Sequence, residues 1–266
     1  MLKLLLMRHG ESTGNREHRM SGHDDTGLTD HGAHQCRQLA HWLHQQNWQP
    51  SHIYSSPLRR ATESLTWLLL PWRWQLDGPL PTAIAGQQPL RVTALSPTAT
   101  RPLPQGWLTA DLQEFNAGIL TSLTWAEAQH RYPDLCQRLE TAAVWVPIPG
   151  AETPLEGRGR AQRFIQQLLT QHHNGDAVWV MAHQWILEHL VAALLGCDRT
   201  WQITMPNTAV FEFWVDRDRW HHQGIDQTLS DLWQIKRFNG CEHFQDLYQD
   251  APAIALTPPS ENIISA

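Results

Sequence analysis

The sequence predicts an α/β domain built on an open sheet with parallel strands, and three observations predict it. Near-continuous apolar runs at Leu2 to Met7 and Ala177 to Met181 have the length of strands buried on both faces. Stretches with helical spacing of apolar residues lie between and after them. Each run ends in Met-x-His, once at Met7-Arg8-His9 and again at Met181-Ala182-His183. Parallel pairing of the two runs would set His9 and His183 side by side at the carboxyl edge of the sheet, where open α/β sheets bind ligands.

Taken in order, the first strand runs into the polar cluster Arg8-His9-Gly10-Glu11-Ser12-Thr13-Gly14-Asn15, the candidate active site. A helix from Asp30 to Gln46 follows, with Ala33, Cys36, Leu39, Ala40 and Leu43 on one face. His41 and His44 have a metal-compatible i, i+3 spacing, but no carboxylate or cysteine completes a set, so they read as an exposed polar face. His52 to Ser55 is a second strand. Ser56 then reads as an N-cap and Pro57 as the first position of a helix reaching Leu70. Arg59 and Arg60 fall in its first turn, where they either join the free N–H groups in an anion site or pair with Glu63.

Residues 71 to 110 carry Pro71, Pro79, Pro81, Pro89, Pro97, Pro102 and Pro104 and read as an insertion or lid. Thr124-x-x-Glu127 is a capping box for a helix ending before Pro133. A longer helix spans Glu152 to His173, with Leu155, Phe164, Ile165, Leu168 and Leu169 inward and its first turns weakened by Gly157 and Gly159. An apolar helix from Ile186 to Leu195 ends at Gly196. Ala209 to Val215 and Leu232 to Phe238 read as an edge hairpin, and residues 246–266 as a tail on the surface or disordered.

The chain of 266 residues, 41% hydrophobic and 17% charged, has the makings of one catalytic domain over residues 1–245. A net charge of -6 argues against nucleic-acid or anionic-membrane partners, while a few local arginines can still focus a small anion. Cys36, Cys136, Cys197 and Cys241 show no CxxC pairing and read as reduced thiols of a cytoplasmic protein. No stretch approaches the roughly 20 apolar residues of a membrane span, and no signal peptide is evident. The fourteen tryptophans mostly belong to the core, although those near the insertion could build an apolar lid or a homodimer contact.

Two histidines and two arginines at a strand edge suit phosphoryl transfer from an ester. Neutral imidazole is nucleophilic near neutral pH, and attack on phosphorus gives a phosphohistidine that splits hydrolysis into two displacements. Planar guanidinium forks from Arg8 and Arg60 match phosphate oxygens and the charge they gain in the transition state. His183, protonated by the bound dianion, adds a donor. The leaving alkoxide needs a proton from a carboxylic acid, for which Glu114 is the candidate and Glu11 the fallback.

These residues resemble the histidine phosphatase superfamily, the phosphoglycerate mutase-like family. Arg8-His9-Gly10-Glu11-Ser12 with Asn15 matches its opening signature, and Asp25-x-x-Leu28-Thr29-x-x-Gly32 is the usual continuation. Ser55-Ser56-Pro57-Leu58-Arg59-Arg60-Ala61 matches the segment giving the second arginine, with alignment on the alanine selecting Arg60. Leu112-x-Glu114 with Gly118 resembles the proton-donor segment, and Gly150-Ala151-Glu152-Thr153 with Arg160 resembles the family's PGGES helix start. Met181-Ala182-His183 resembles the strand end carrying the second histidine. The resemblance covers residues 2 to 210 and implies a three-layer α/β/α sandwich with a mainly parallel sheet. It implies His9 as the phosphorylated nucleophile, Glu114 as acid, and Arg8, Arg60, Asn15 and His183 as the phosphate pocket, with no cofactor or metal. Two departures stand out. Gln184 replaces the glycine that usually follows the second histidine, so its side chain either narrows the pocket or contacts substrate. Gly118-Ile119-Leu120-Thr121-Ser122 replaces the usual Gly-x-x-Glu-Gly.

The expected activity is hydrolysis of a small phosphorylated metabolite. A phosphoglycerate mutase is the alternative, but glycolytic members place basic residues just after the proton donor, and Ile119 to His130 contains no Lys or Arg. A non-catalytic phosphate-binding protein would be expected to lack one of His9, Arg8, Arg60, Glu114 or His183, and all are present.

Overall fold

A computed structural model describes residues 1–96, 101–220 and 231–244. Its strands are β1 (Leu2–Arg8), β2 (His52–Ser55), β3 (Trp74–Leu76), β4 (Gln87–Pro89), β5 (Val92–Ala94), β6 (Gln105–Thr109), β7 (Ala177–Ala182), β8 (Val210–Val215) and β9 (Trp233–Gly240). The helices are α1 (Thr13–Arg16), α2 (Asp30–Gln45), α3 (Arg59–Leu69), α4 (Trp125–Arg131), α5 (Pro133–Thr141), α6 (Pro154–Gln171), α7 (Gln184–Leu194) and α8 (Arg217–Trp220).

The main sheet has the order β4-β6-β2-β7-β1-β8-β9. Its four central strands, β6, β2, β7 and β1, run parallel, and antiparallel neighbours close both edges. Alternation along the central strands divides the core. Leu4 and Leu6 of β1 and Val178 and Val180 of β7 pack with Phe164, Ile165 and Leu168 of α6 and with Ile186, Leu187 and Leu190 of α7. Leu5 and Met7, with Trp179 and Met181, face Cys36, Leu39 and Leu43 of α2 and Leu65 and Leu68 of α3. Helices therefore cover both faces of a mainly parallel sheet, as the sequence predicts, and the apolar runs are continuous because both faces are buried. Each such Leu contributes roughly 1.5–3 kcal/mol on burial.

Several local expectations change. The helix expected from Ser56 begins at Arg59, because Ser56 Oγ instead accepts the Leu58 amide at 3.3 Å within the preceding turn. Leu155 is not inward: it is 78% exposed, while Phe164, Ile165, Leu168 and Leu169 form the buried face. Gly157 has a packing role, since a Cβ there would lie 2.0 Å from the Trp185 ring. The capping boxes Thr124/Glu127 and Thr153/Glu156 both form.

Residues 71 to 110, read from the sequence as an insertion or lid, are tied into the body. β6 pairs with β2, β4 borders β6, and β3 pairs with β5 in a small separate sheet. Trp72, Trp74, Leu90 and Val92 are buried in the α2/α3 core, and the Trp72 ring meets Trp179 edge to face with centroids 5.2 Å apart. Apolar burial thus anchors this stretch to the α2/α3 face and to the β6 edge of the sheet. β8 and β9 form the expected antiparallel edge pair. The expected tail at 246–266 lies outside the described residues.

Candidate active site

The register of β1 on β7 pairs Arg8 with Ala182, so the next residue on each strand, His9 and His183, emerges at the same edge. Their rings lie 4.9 Å apart, and both are buried. A Cβ on Gly10 would stand 2.6 Å from the Gly32 carbonyl oxygen, so glycine lets the start of α2 pass directly beneath the loop. His9 Nδ1 donates to the Gly10 carbonyl at 2.6 Å. A carbonyl can only accept, so the proton sits on Nδ1 and the lone pair on Nε2. Burial, reinforced by Arg60 and Arg8, holds the His9 pKa well below the usual imidazole value.

Arg60, the second residue of α3, is 2% exposed. Its guanidinium donates to the Asp24 carbonyl at 2.8 Å, the Gly22 carbonyl at 2.9 Å and His183 Nδ1 at 3.2 Å. Burial pulls its pKa down to about 10, which leaves it charged at neutral pH. Arg59 instead turns outward to Glu63 at 2.7 Å. Because His183 Nδ1 accepts from Arg60, Nε2 carries the proton and donates to Ser56 Oγ at 2.7 Å. His183 is therefore a neutral imidazole with both nitrogens engaged by protein groups. Burial first, then Arg60 and His9, push its pKa well down.

Arg8 donates to the Met205 carbonyl, and its buried Nε has no acceptor among the described residues. Burial lowers its pKa, partly offset by the nearby Glu114 and Glu188 carboxylates. Asn15 Oδ1 accepts from Ser12 N at 3.1 Å, Ser12 Oγ at 3.0 Å and Asn207 Nδ2 at 3.2 Å. Its own amide protons are the donors left for a ligand.

Glu114 Oε1 accepts the Phe115 amide at 2.9 Å, and Oε2 the Trp185 amide at 3.4 Å in the first turn of α7. The backbone around it is clamped from behind. Arg160 holds Glu152 bidentately at 2.6 and 2.8 Å while donating to the carbonyls of Asp111 at 2.8 Å, Gln113 at 2.5 Å and Glu114 at 3.3 Å. His23 Nε2 reaches the Glu114 carbonyl at 2.9 Å. Glu11, the fallback acid, accepts from Thr29 Oγ1 at 2.7 Å at the start of α2, and that contact serves the helix cap.

The Gln184 side-chain amide donates to the Ile203 carbonyl at 3.3 Å and hydrogen-bonds Glu188, whose carboxylate in turn lies near Arg8 and Glu114. Ser56, Asn207, Glu188 and His23 were not singled out as site residues in the sequence. Ser56 lies inside a recognised motif, whereas Asn207, which also bonds the His9 carbonyl at 3.1 Å, has no local signal at all.

The family model of the histidine phosphatase superfamily, branch 1, matches residues 4–76 and 97–228 and leaves out 77–96, the β4 and β5 part of the proline-rich stretch. The chain is 28% identical over 238 residues to adenosylcobalamin/alpha-ribazole phosphatase of Escherichia coli, covering 87% of this chain and 94% of that protein. It is 29% identical over 194 residues to a 2,3-bisphosphoglycerate-dependent phosphoglycerate mutase of Methylorubrum populi, covering 73% and 79%. Among solved structures, a mycobacterial glucosyl-3-phosphoglycerate phosphatase complex superposes with TM-score 0.61 at 22% identity, covering 90% of this chain and 99% of that one.

Proposed function

Because the chain belongs to the histidine phosphatase superfamily, we propose that it hydrolyses a small phosphate monoester through a phosphohistidine on His9. The observation that carries the proposal is the His9 tautomer: Nδ1 locked to Gly10 leaves Nε2 as a nucleophile, flanked by His183, Arg8 and Arg60. Nε2 attacks phosphorus as the bond to the leaving oxygen breaks, and a protonated Glu114 gives that oxygen its proton. The Glu114 carboxylate then takes a proton from water, which attacks the phosphohistidine and returns His9 and inorganic phosphate. Arg8 and Arg60 neutralise the equatorial oxygens in both steps. No step calls on a metal ion or cofactor, so turnover persists in chelator.

The test is direct. Purified protein incubated with a radiolabelled ester and quenched acquires acid-labile label, and His9→Ala does not; absence of label and of turnover in the wild type would refute the proposal. Glu114→Gln slows alkyl phosphates far more than aryl phosphates with good leaving groups, and equal losses on both remove Glu114 from the acid role.

The mutase reading is favoured by the names of four relatives, all 2,3-bisphosphoglycerate-dependent phosphoglycerate mutases. Against it, residues 119–130 contain no Lys or Arg to hold a second anionic group. Conversion of 3-phosphoglycerate to 2-phosphoglycerate with little free phosphate would establish it instead.

A further inference from the structure

At the opposite edge of the sheet, His52 at the start of β2, His172 at the C-cap of α6 and Asp176 in the turn before β7 converge, with one ligand atom from each within 4.8 Å of the others. His172 Nδ1 lies 3.1 Å from Asp176 Oδ2, and His52 Nδ1 lies 4.0 Å from Oδ1. The imidazole rings meet edge to face, centroids 4.4 Å apart. Bonds of roughly 2.0–2.1 Å in a tetrahedral zinc site place ligand atoms about 3.4 Å apart. The His172–Asp176 pair is already near that spacing, and His52 must close by at most about 1.4 Å.

The surroundings fit ligation. Burial lowers the pKa of both histidines, so each offers a lone pair at neutral pH. Asp176, although burial acts the other way, is held below the usual carboxylate range by the His173 amide and by His172. The far nitrogen of His172 is 3.0 Å from the Tyr54 hydroxyl, the outer hydrogen bond that orients a metal-ligating imidazole. His52 stacks on Trp107, and its Nδ1 contacts Ser51 Oγ at 2.8 Å. Releasing that contact leaves Ser51 satisfied, because its hydroxyl also donates to the Ala177 carbonyl and accepts the Ala177 amide. Ligation then needs side-chain torsions to adjust and the His172 proton, held on Nδ1 by Asp176, to move to Nε2, where it faces the Tyr54 hydroxyl.

We propose that His52, His172 and Asp176 bind one divalent transition-metal ion of the zinc class, with water completing the coordination, and so pin the turn between α6 and β7 to β2. Two imidazoles and one carboxylate favour zinc, cobalt or nickel over magnesium or calcium, which take oxygen ligands. Asp176 precedes His183 by seven residues along β7, roughly 23 Å of strand, so the ion stabilises the fold and takes no part in turnover.

Metal-stripped full-length protein titrated with zinc chloride and cobalt chloride by calorimetry tests this. One equivalent binds, and zinc at a hundredfold excess over its Kd raises Tm by about 5 °C. Asp176→Asn and His52→Gln each weaken binding more than tenfold, while hydrolysis of an aryl phosphate is unchanged with or without chelator. A His41→Gln/His44→Gln variant binds as the wild type does. Absence of binding, binding untouched by both site variants, or binding lost with the His41/His44 pair overturns the proposal. Should Asp176→Asn fail to fold, His52→Gln with the cobalt absorption spectrum decides the question alone.

Discussion

Arg160→Met separates holding the fold from positioning the acid. Arg160 and Glu152 keep about a tenth of their side-chain surface in solvent, 10% and 13%, and form a bidentate pair. Removing one partner of a buried pair costs about 3–5 kcal/mol, and the residual exposure puts this case near 3 kcal/mol. The substitution also strips three carbonyls, those of Asp111, Gln113 and Glu114, of their donor. Glu114 then keeps only the Phe115 and Trp185 amides and the His23 contact. A displacement of about 1 Å in a reacting group can cost on the order of 10²-fold. That loss falls on substrates whose leaving group needs the proton. Urea unfolding and kcat/KM for matched alkyl and aryl monoesters supply the two readouts. Adding Glu152→Gln removes the orphaned carboxylate and recovers part of the stability but not the alkyl rate. An unchanged alkyl-to-aryl ratio in Arg160→Met, or a stability loss below about 1 kcal/mol, refutes the reasoning.

Other consequences are sharp enough to measure. Gly157→Ala should destabilise by roughly 1–3 kcal/mol in chemical denaturation despite alanine's higher helix propensity, because the new Cβ drives into the Trp185 ring. Arg60→Ala should lower kcat/KM by about 10²–10³-fold, whereas Arg59→Ala should change it less than about twofold, since Arg59 faces Glu63 and solvent. Burial lowers His189 and His243 to about 4. Their unfolded forms protonate first as pH falls below roughly 6.5, so the native state loses stability between about pH 6.5 and 4, at up to about 1.4 kcal/mol per unit for each. A midpoint of urea unfolding that is flat across this window contradicts that burial.

The layers and the meeting of His9 with His183 at one sheet edge were legible because they rest on short-range pattern. Apolar runs and their Met-x-His endings specify which strands are central, and the register follows once both faces must be buried. Arg60 could be told from Arg59 only by motif alignment, since adjacent arginines on a helix have equal local claims. What escaped was whatever depends on contacts distant in sequence. The contacts of Gln184 to Ile203 and Glu188 could not be read from its place after His183. Asn207 reaches both the His9 carbonyl and Asn15 across nearly two hundred residues, which no spacing rule could signal. In the proline-rich stretch, prolines mark the interruptions, but they say nothing about where buried side chains such as Trp72 and Trp74 between them are anchored.

Burial lowers the pKa of His9 as it does that of His189 and His243, and on the proposed reaction this is what keeps His9 a nucleophile. Two guanidiniums face two imidazoles, and protonating either buried ring would place a third positive charge among them. The arrangement therefore keeps Nε2 of His9 unprotonated below the pH at which a free imidazole charges. On the proposed reaction, a dianionic phosphoryl group would meet these two positive charges and offset the repulsion between Arg8 and Arg60. Stability and nucleophilicity should thus part company on acidification. Between about pH 7 and 5.5, unfolding free energy declines through the buried histidines, while the fraction of His9 able to attack stays nearly constant. An acidic limb in kcat/KM with a midpoint near 6.5 would contradict this, for it would mean that His9 titrates as though exposed.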